Sequence, residues 1–205
     1  IEEVNTALGY FLNAEFGRAN EAIREKSDLG YPYHNTGKSF LLFIRTLFTF
    51  DPEDILTTLA QLDHTIALAS KIVNGQKPSI YQRLSYFVRY RPDESGDAAA
   101  HLDRLTAHCQ LIIAELSLIR AILLIATDDH ESWMLMVRQS LHIRSSYNFY
   151  TKSLTSPYME DPNFSSAILL GNGVFNLMLP LLPPKVMQTF AFFGYRGNTS
   201  LGLEQ

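Results

Sequence analysis

The chain has 205 residues, 46% hydrophobic and 19% charged, with a formal net charge of -4 and a pI near 5.9. That length can bury a substantial core without metal or disulfide staples, and the acidic balance argues against a nucleic-acid footprint. The single cysteine, Cys109, excludes an intramolecular disulfide; its apolar helical surroundings read as a buried structural thiol in a reducing compartment such as the cytosol.

Residues 4–27 carry apolar and small side chains at helical spacing, with a break around Glu15 to Arg18, which predicts two antiparallel helices joined by a tight turn. Ala7 with Tyr10, then Ala19 with Ile23, put small and bulky residues where a tetratricopeptide hairpin needs them. Small residues there let two helices approach closely while large ones fill the gaps. Glu3 stands where that pattern has tryptophan, and Pro32 closes the unit. A second hairpin follows. Residues 38–50 are dense in Phe and Leu, and Asp51-Pro52-Glu53-Asp54 starts a helix, with proline in its first turn and acids beside the positive helix end. Ile55, Leu59, Leu62, Ile66 and Ala69 form its inward stripe, and Asn74-Gly75 stops it.

From 76 to 98 the pattern lapses through Pro78, Arg89, Arg91, Pro92 and Ser95-Gly96-Asp97, the mark of a long connection or insertion. Helical character returns over 99–126, with so few polar residues after Gln110 that the helix must be packed on most sides. Asp128 and Glu131 resemble a capping box before a helix carrying Trp133, Met136, Val137 and Leu141 and reaching Leu154. Ser156-Pro157 and Asp161-Pro162 bracket a loop, residues 164–182 form an apolar helix weakened by Gly171, Gly173 and Pro180, and Pro183-Pro184 open a short helix ending at Gly194. No strand pattern of useful length occurs. The expected fold is all-α: antiparallel helical hairpins stacked as a tetratricopeptide-like array, an α-α superhelix. Its divisions are 1–74 (two hairpins), 75–98 (connection) and 99–205 (a long hairpin, the interrupted helix and a short helix leading into a further repeat).

No signal peptide is expected, because Ile1-Glu2-Glu3 is acidic where a basic segment belongs. Two apolar stretches bear on membranes. The one over 111–126 contains Glu115 and Arg120, each costing roughly 2.5–3.5 kcal/mol at a bilayer centre, and reads as a buried helix. The one over 167–182 is interrupted by Asn172, Asn176, glycines and Pro180 and falls short of the about 20 residues a span needs, which leaves peripheral contact open.

The run Gly173-Val174-Phe175-Asn176-Leu177-Met178-Leu179-Pro180-Leu181-Leu182-Pro183-Pro184, with Phe193-Gly194-Tyr195-Arg196-Gly197-Asn198 and Leu201-Gly202-Leu203, resembles the tetratricopeptide repeat protein 39 family. Phe11-Leu12-Asn13 with Phe16, Thr49-Phe50, and Ile143-Arg144-Ser145-Ser146-Tyr147 extend the resemblance over most of the chain. Pro180 departs from an expected serine and Asn172 from a small apolar residue, as in a diverged member. That family includes the fungal inclusion-body clearance proteins, also described as mitochondrial outer membrane proteins. The resemblance makes this chain the N-terminal portion of a longer repeat protein. It implies a non-catalytic adaptor for other proteins, linked to clearance of aggregates and to lipid droplets, and located in the cytoplasm, at the mitochondrial outer membrane or in the nucleus.

The residues offer little chemistry. Thr36-Gly37-Lys38-Ser39 imitates the end of a phosphate-binding loop, but its first glycine would fall at Pro32 and no strand precedes it, so helix capping is the expected role. Gly171-x-Gly173 lacks a third glycine and a ribose-binding acid and reads as helix packing. His101 and His108 share a helix face, and His130 adjoins Asp128, Asp129 and Glu131; without ligand spacing, solvated or capping roles are expected and no metal or cofactor. No nucleophile elbow or carboxylate pair stands out, so no enzyme is expected. Lys71, Lys77, Arg83, Arg89 and Arg91 make the connection locally basic, an ordinary solvated charge run or a contact for an acidic partner or lipid. Arg138, His142 and Arg144 make a similar edge, and Tyr147, Phe149 and Tyr150 form either core or a recognition patch. The candidate interaction surface is thus Arg138, His142, Arg144, Tyr147, Phe175, Leu177 and Met178, with a lipid- or membrane-docking role for Phe175, Leu177, Met178 and Leu182 as the alternative.

Overall fold

The computed structural model describes residues 2–75, 98–127 and 133–178. Among these the elements are α1 (Glu2–Leu12), α2 (Phe16–Asp28), α3 (Pro32–Thr49), α4 (Pro52–Val73), α5 (Ala98–Thr127), α6 (Trp133–Ser153), a 3-10 turn (Pro157–Glu160) and α7 (Pro162–Met178), with no strand among the described residues. The chain forms two compact units, Ile1–Leu116 and Ser117–Gln205, whose boundary falls inside α5. The expected capping box at Asp128 and Glu131, the connection 76–97, His130 and everything after Met178 lie outside the described residues.

In the first unit the small-and-bulky pattern does what its spacing requires: Ala7, Ala19 and Ile23 are buried where α1 and α2 cross. The helices run antiparallel, because Lys26 near the end of α2 meets Glu3 at the start of α1, while Arg18 at the start of α2 reaches Tyr10 late in α1. Glu3, at the position where the repeat pattern has tryptophan, replaces an apolar wedge with a polar clamp: it binds Lys26 and, at 2.8 Å, Nε2 of the buried His34 on α3. The Lys26 contact holds the Glu3 carboxyl below its usual range, whereas burial keeps the His34 ring below its ordinary value. The α1–α2 break falls at Asn13–Glu15, slightly earlier than the sequence suggested, and α2 ends at Asp28, two residues before Gly30, whose φ of +82° permits the tight reversal into α3.

Two expectations for α3 change. Pro32 opens this helix at its first position instead of closing a unit, so α3 begins six residues before the Lys38 start read from the sequence. Consequently Thr36-Gly37-Lys38-Ser39 lies inside the helix and caps nothing: Thr36 donates to the Pro32 carbonyl at 2.9 Å, Ser39 to the Asn35 carbonyl at 2.8 Å, and Gly37 lets α1 approach through Val4. The α3–α4 hairpin closes over a buried hydroxyl seam. Thr46 and Thr58 meet at 2.7 Å and Ser39 and Thr65 at 3.1 Å, all four with no exposure. Asn35 extends the seam by donating to the Ser27 carbonyl at 2.9 Å and accepting from Gln61 at 3.2 Å. The start of α4 is as read: Asp51 accepts from the amides of Glu53 and Asp54, with Pro52 following.

Helix α5 is apolar around its circumference, burying Leu105, Cys109, Ile112, Leu116, Ala121 and Leu123. By length and composition its stretch Asp103–Leu124 passes as a membrane span, yet 56% of that window is buried inside the protein, as for a core helix. In the second unit the bracketed loop is a 3-10 turn capped by Ser156, and Asp161 caps α7 through the amides of Asn163 and Phe164. Helices α6 and α7 run antiparallel, with Tyr147 against Phe175 and the Tyr150 ring over Gly171. Buried Asn176 donates to the Asn172 carbonyl at 2.9 Å.

A methyl at Gly171 would enter the space of the Tyr150 ring, which is fully buried and has nowhere to retreat. Gly171→Ala is therefore expected to destabilise the chain by about 1–3 kcal/mol in denaturant unfolding. Gly9→Ala, in α1 with open space around it, should instead stabilise by up to about 1 kcal/mol.

Candidate functional site

The polar seam determines what α3 presents elsewhere. With Asn35, Thr36, Ser39 and Thr46 turned inward, the Leu and Phe residues of the same helix occupy its other faces. Lys38, Leu41, Leu42, Arg45, Phe48 and Thr49 recur at steps of three and four, so they share one stripe. That stripe is one wall of a groove of about 880 Å³, and the other wall is the α1–α2 turn: Phe11, Leu12, Ala14, Phe16, Gly17 and Asn20. Phe48 is 85% exposed, Leu12 75% and Phe16 59%, values unusual for side chains of this size lying together.

Local backbone geometry holds the rim. Ala14 adopts a left-handed φ of 61°, which reverses the chain while the Phe11 and Phe16 rings meet edge to face at 5.2 Å across the turn. Phe50, the residue after α3, is also left-handed at φ 47°, a conformation that suits glycine far better than a bulky residue. Its ring is exposed, as are Leu47 and Phe48 beside it. The Arg18 guanidinium lies 4.2 Å over the Tyr10 ring and pairs with Glu15.

Charge on the groove is one-sided. Among the described residues its lining includes Lys38 and Arg45 and no carboxylate. Arg45 is held from behind by Asp54, Nη2 to Oδ1 at 2.6 Å and Nε donating to Oδ2 at 3.1 Å. A second, shallower depression adjoins it, formed by Arg45, Thr49, Thr57 and the acids Asp51, Glu53 and Asp54.

The surface selected from the sequence lies in the second unit and is only partly exposed. His142 is exposed, Arg144, Tyr147 and Leu177 are half-buried, and Phe175 is buried at 4% exposure, its ring 4.4 Å from that of Tyr147. Phe175 therefore packs α7 on α6 and offers no docking surface. The side chains of Arg138 and Met178, and Leu182, lie outside the described residues. Of the aromatic trio, Tyr150 is core while Tyr147 and Phe149 are half-buried. His108 corrects the expectation of a solvated ring: it is buried and bonds the Tyr33 hydroxyl through Nδ1. The side chain of His101 lies outside the described residues, and no cluster of metal-ligating side chains occurs among the described ones. The groove itself escaped sequence reading, although Phe11, Leu12, Phe16 and Thr49 all belonged to the segments that carried the family resemblance.

Two groups on α5 also have shifted acidity. The Cys109 thiol is pushed up to about 12 by burial, so it stays protonated and inert at neutral pH. Desolvation pushes the Glu115 carboxyl up to about 8.

Short antiparallel helix pairs, with α1 and α3 both running alongside through Glu3–His34 and Val4–Gly37, define a tetratricopeptide-like helical repeat protein. A family model for Iml2/Tetratricopeptide repeat protein 39 matches residues 5–205, and the chain belongs to that family. It is similar to tetratricopeptide repeat protein ttc-39B of Caenorhabditis elegans, 27% identical over 216 residues that cover 99% of this chain and 35% of that protein. The chain thus spans about a third of that relative's length. No solved structure matches it.

Because the folded acidity of Glu115 lies above its ordinary value of 4.5, the folded chain holds an extra proton between pH 4.5 and about 8. Its contribution is most favourable below pH 4.5 and is lost as pH rises toward 8. Glu115→Gln should therefore raise stability at pH 7.5 by about 1–3 kcal/mol, and this gain should shrink toward zero at pH 4.5 in paired denaturation curves.

Proposed function

We propose that this chain is the N-terminal, non-catalytic part of an adaptor that binds other proteins through exposed apolar surface on its helical hairpins. The observation that carries this reading is the groove of the first unit, where Leu12, Phe16 and Phe48 stand exposed around a concave apolar space. Stacked hairpins present such surfaces readily, because each leaves one face uncovered. The sequence resemblance extends the proposal to clearance of aggregated protein with lipid-droplet association, and to a cytoplasmic location that includes the mitochondrial outer membrane surface and the nucleus. In a protein about three times as long as this chain, repeats beyond it would supply further surface.

A second reading is peripheral docking on a lipid surface. It is favoured by the cluster of exposed apolar residues at the two hairpin turns, Leu12 and Phe16 at one and Leu47, Phe48 and Phe50 at the other. Proximity labelling of the full-length protein in cells is expected to recover a reproducible partner set, depleted when Leu12 and Phe48 are both changed to Ser. Absence of any reproducible partner, together with flotation on liposomes that the same substitutions abolish, would favour the lipid reading instead.

A further inference from the structure

The groove is chemically specific enough to identify its occupant. Its α3 wall runs from Lys38 to Thr49, twelve positions along a helix and so about 17 Å, matching roughly three turns of a second helix. The apolar floor of Leu41, Leu42 and Phe48 faces Phe11, Leu12 and Phe16 across the cleft, which suits side chains recurring at every third or fourth position. Above that floor the charge is positive. Lys38 is half-buried and has no ion-pair partner among the described residues, and Arg45 is oriented by Asp54 while its Nη1 is engaged by no described residue. The two cations are seven positions apart, two turns on the same stripe. Carboxylates at the same interval on an opposing helix would meet both.

We propose that this groove docks an acidic amphipathic helix of a partner protein, whose apolar stripe seats on Leu12, Leu41 and Phe48 and whose carboxylates pair with Lys38 and Arg45. This assignment rests on the adaptor reading and supplies the partner chemistry that reading leaves open. A lipid surface fits less well. The acids Asp51, Glu53 and Asp54 adjoin the groove beyond the end of α3, where they would lose hydration against any bilayer. For a docked helix they are an asset, because a basic residue at one end of the ligand would meet them and fix its direction.

The test uses the whole chain and two fluorescein-labelled, lactam-stapled helical peptides of fourteen residues. They share one Leu stripe, which is flanked by Glu in the first and by Lys in the second. Anisotropy titrations should show the Glu peptide binding at least tenfold more tightly than the Lys peptide. Lys38→Glu should weaken the Glu peptide at least tenfold and remove the preference, and Phe48→Ser should weaken both. Leu29→Ser, at an exposed leucine outside the groove, should change neither, and circular dichroism should show all variants equally helical. Failure of the Glu peptide to bind, equal affinity for both peptides, or indifference to Lys38→Glu would overturn the proposal. So would Phe48-dependent flotation on neutral phosphatidylcholine vesicles, or Phe48-dependent self-association, without peptide binding. A partner set that survives the Lys38→Glu/Phe48→Ser double variant overturns this groove assignment alone, whereas absence of any partner set counts against the adaptor reading itself.

Discussion

The first unit depends on a buried line of hydroxyl and amide groups between α2, α3 and α4. Ser27, Asn35, Ser39, Thr46, Thr58 and Thr65 are buried, and their side chains bond one another, Gln61 or backbone carbonyls of the same or neighbouring helices. Small side chains at these crossings allow the helices to approach closely, and each hydroxyl needs a partner with defined geometry, so the register is more sharply specified than a layer of leucines would make it. Breaking one member would leave another buried and unpaired, a larger loss than the bond itself contributes.

The same arrangement explains why the groove exists. A helix has one circumference to divide among its neighbours, and α3 gives its inner arc to Asn, Ser and Thr. Its leucines and phenylalanines are then displaced to faces that no described helix covers fully. Backbone strain at the rim points the same way: Ala14 and Phe50 both hold left-handed conformations, and at Phe50 a phenyl ring is kept where glycine would relieve the strain. The second unit follows the more ordinary rule. There Tyr150 closes on Gly171 and Tyr147 on Phe175, and aromatic area is consumed in holding α6 to α7.

The parts legible in advance were those governed by local chemistry. Ala7, Ala19 and Ile23 are buried as their spacing requires, Asp51-Pro52 starts α4, Asn74-Gly75 ends it, and Cys109 is buried in the long apolar α5. The misread parts needed a neighbour. His108 looked solvated because a histidine in a helix gives no sign of Tyr33, which lies 75 positions away in sequence. The Thr36–Ser39 stretch looked like a cap because no strand precedes it and the loop spacing fails, whereas Thr36, Gly37 and Ser39 serve an interhelical contact or back-bond within α3. Phe175 looked available because it stands in an interrupted apolar run, and only the Tyr147 ring shows where it goes.

Helix content, hairpin connectivity and family were written in the amino-acid order itself, since periodicity, capping residues and turn glycines act over a few positions and need no partner to be recognised. Which face of each helix would be covered was decided by the tertiary structure. An amphipathic pattern assumes that apolar residues turn inward, and α3 departs from that assumption because its hydroxyls find complementary hydroxyls on α4. A preference fulfilled only by a second, sequence-distant helix cannot be read from the first, and the exposed Leu12–Phe48 groove is its direct consequence.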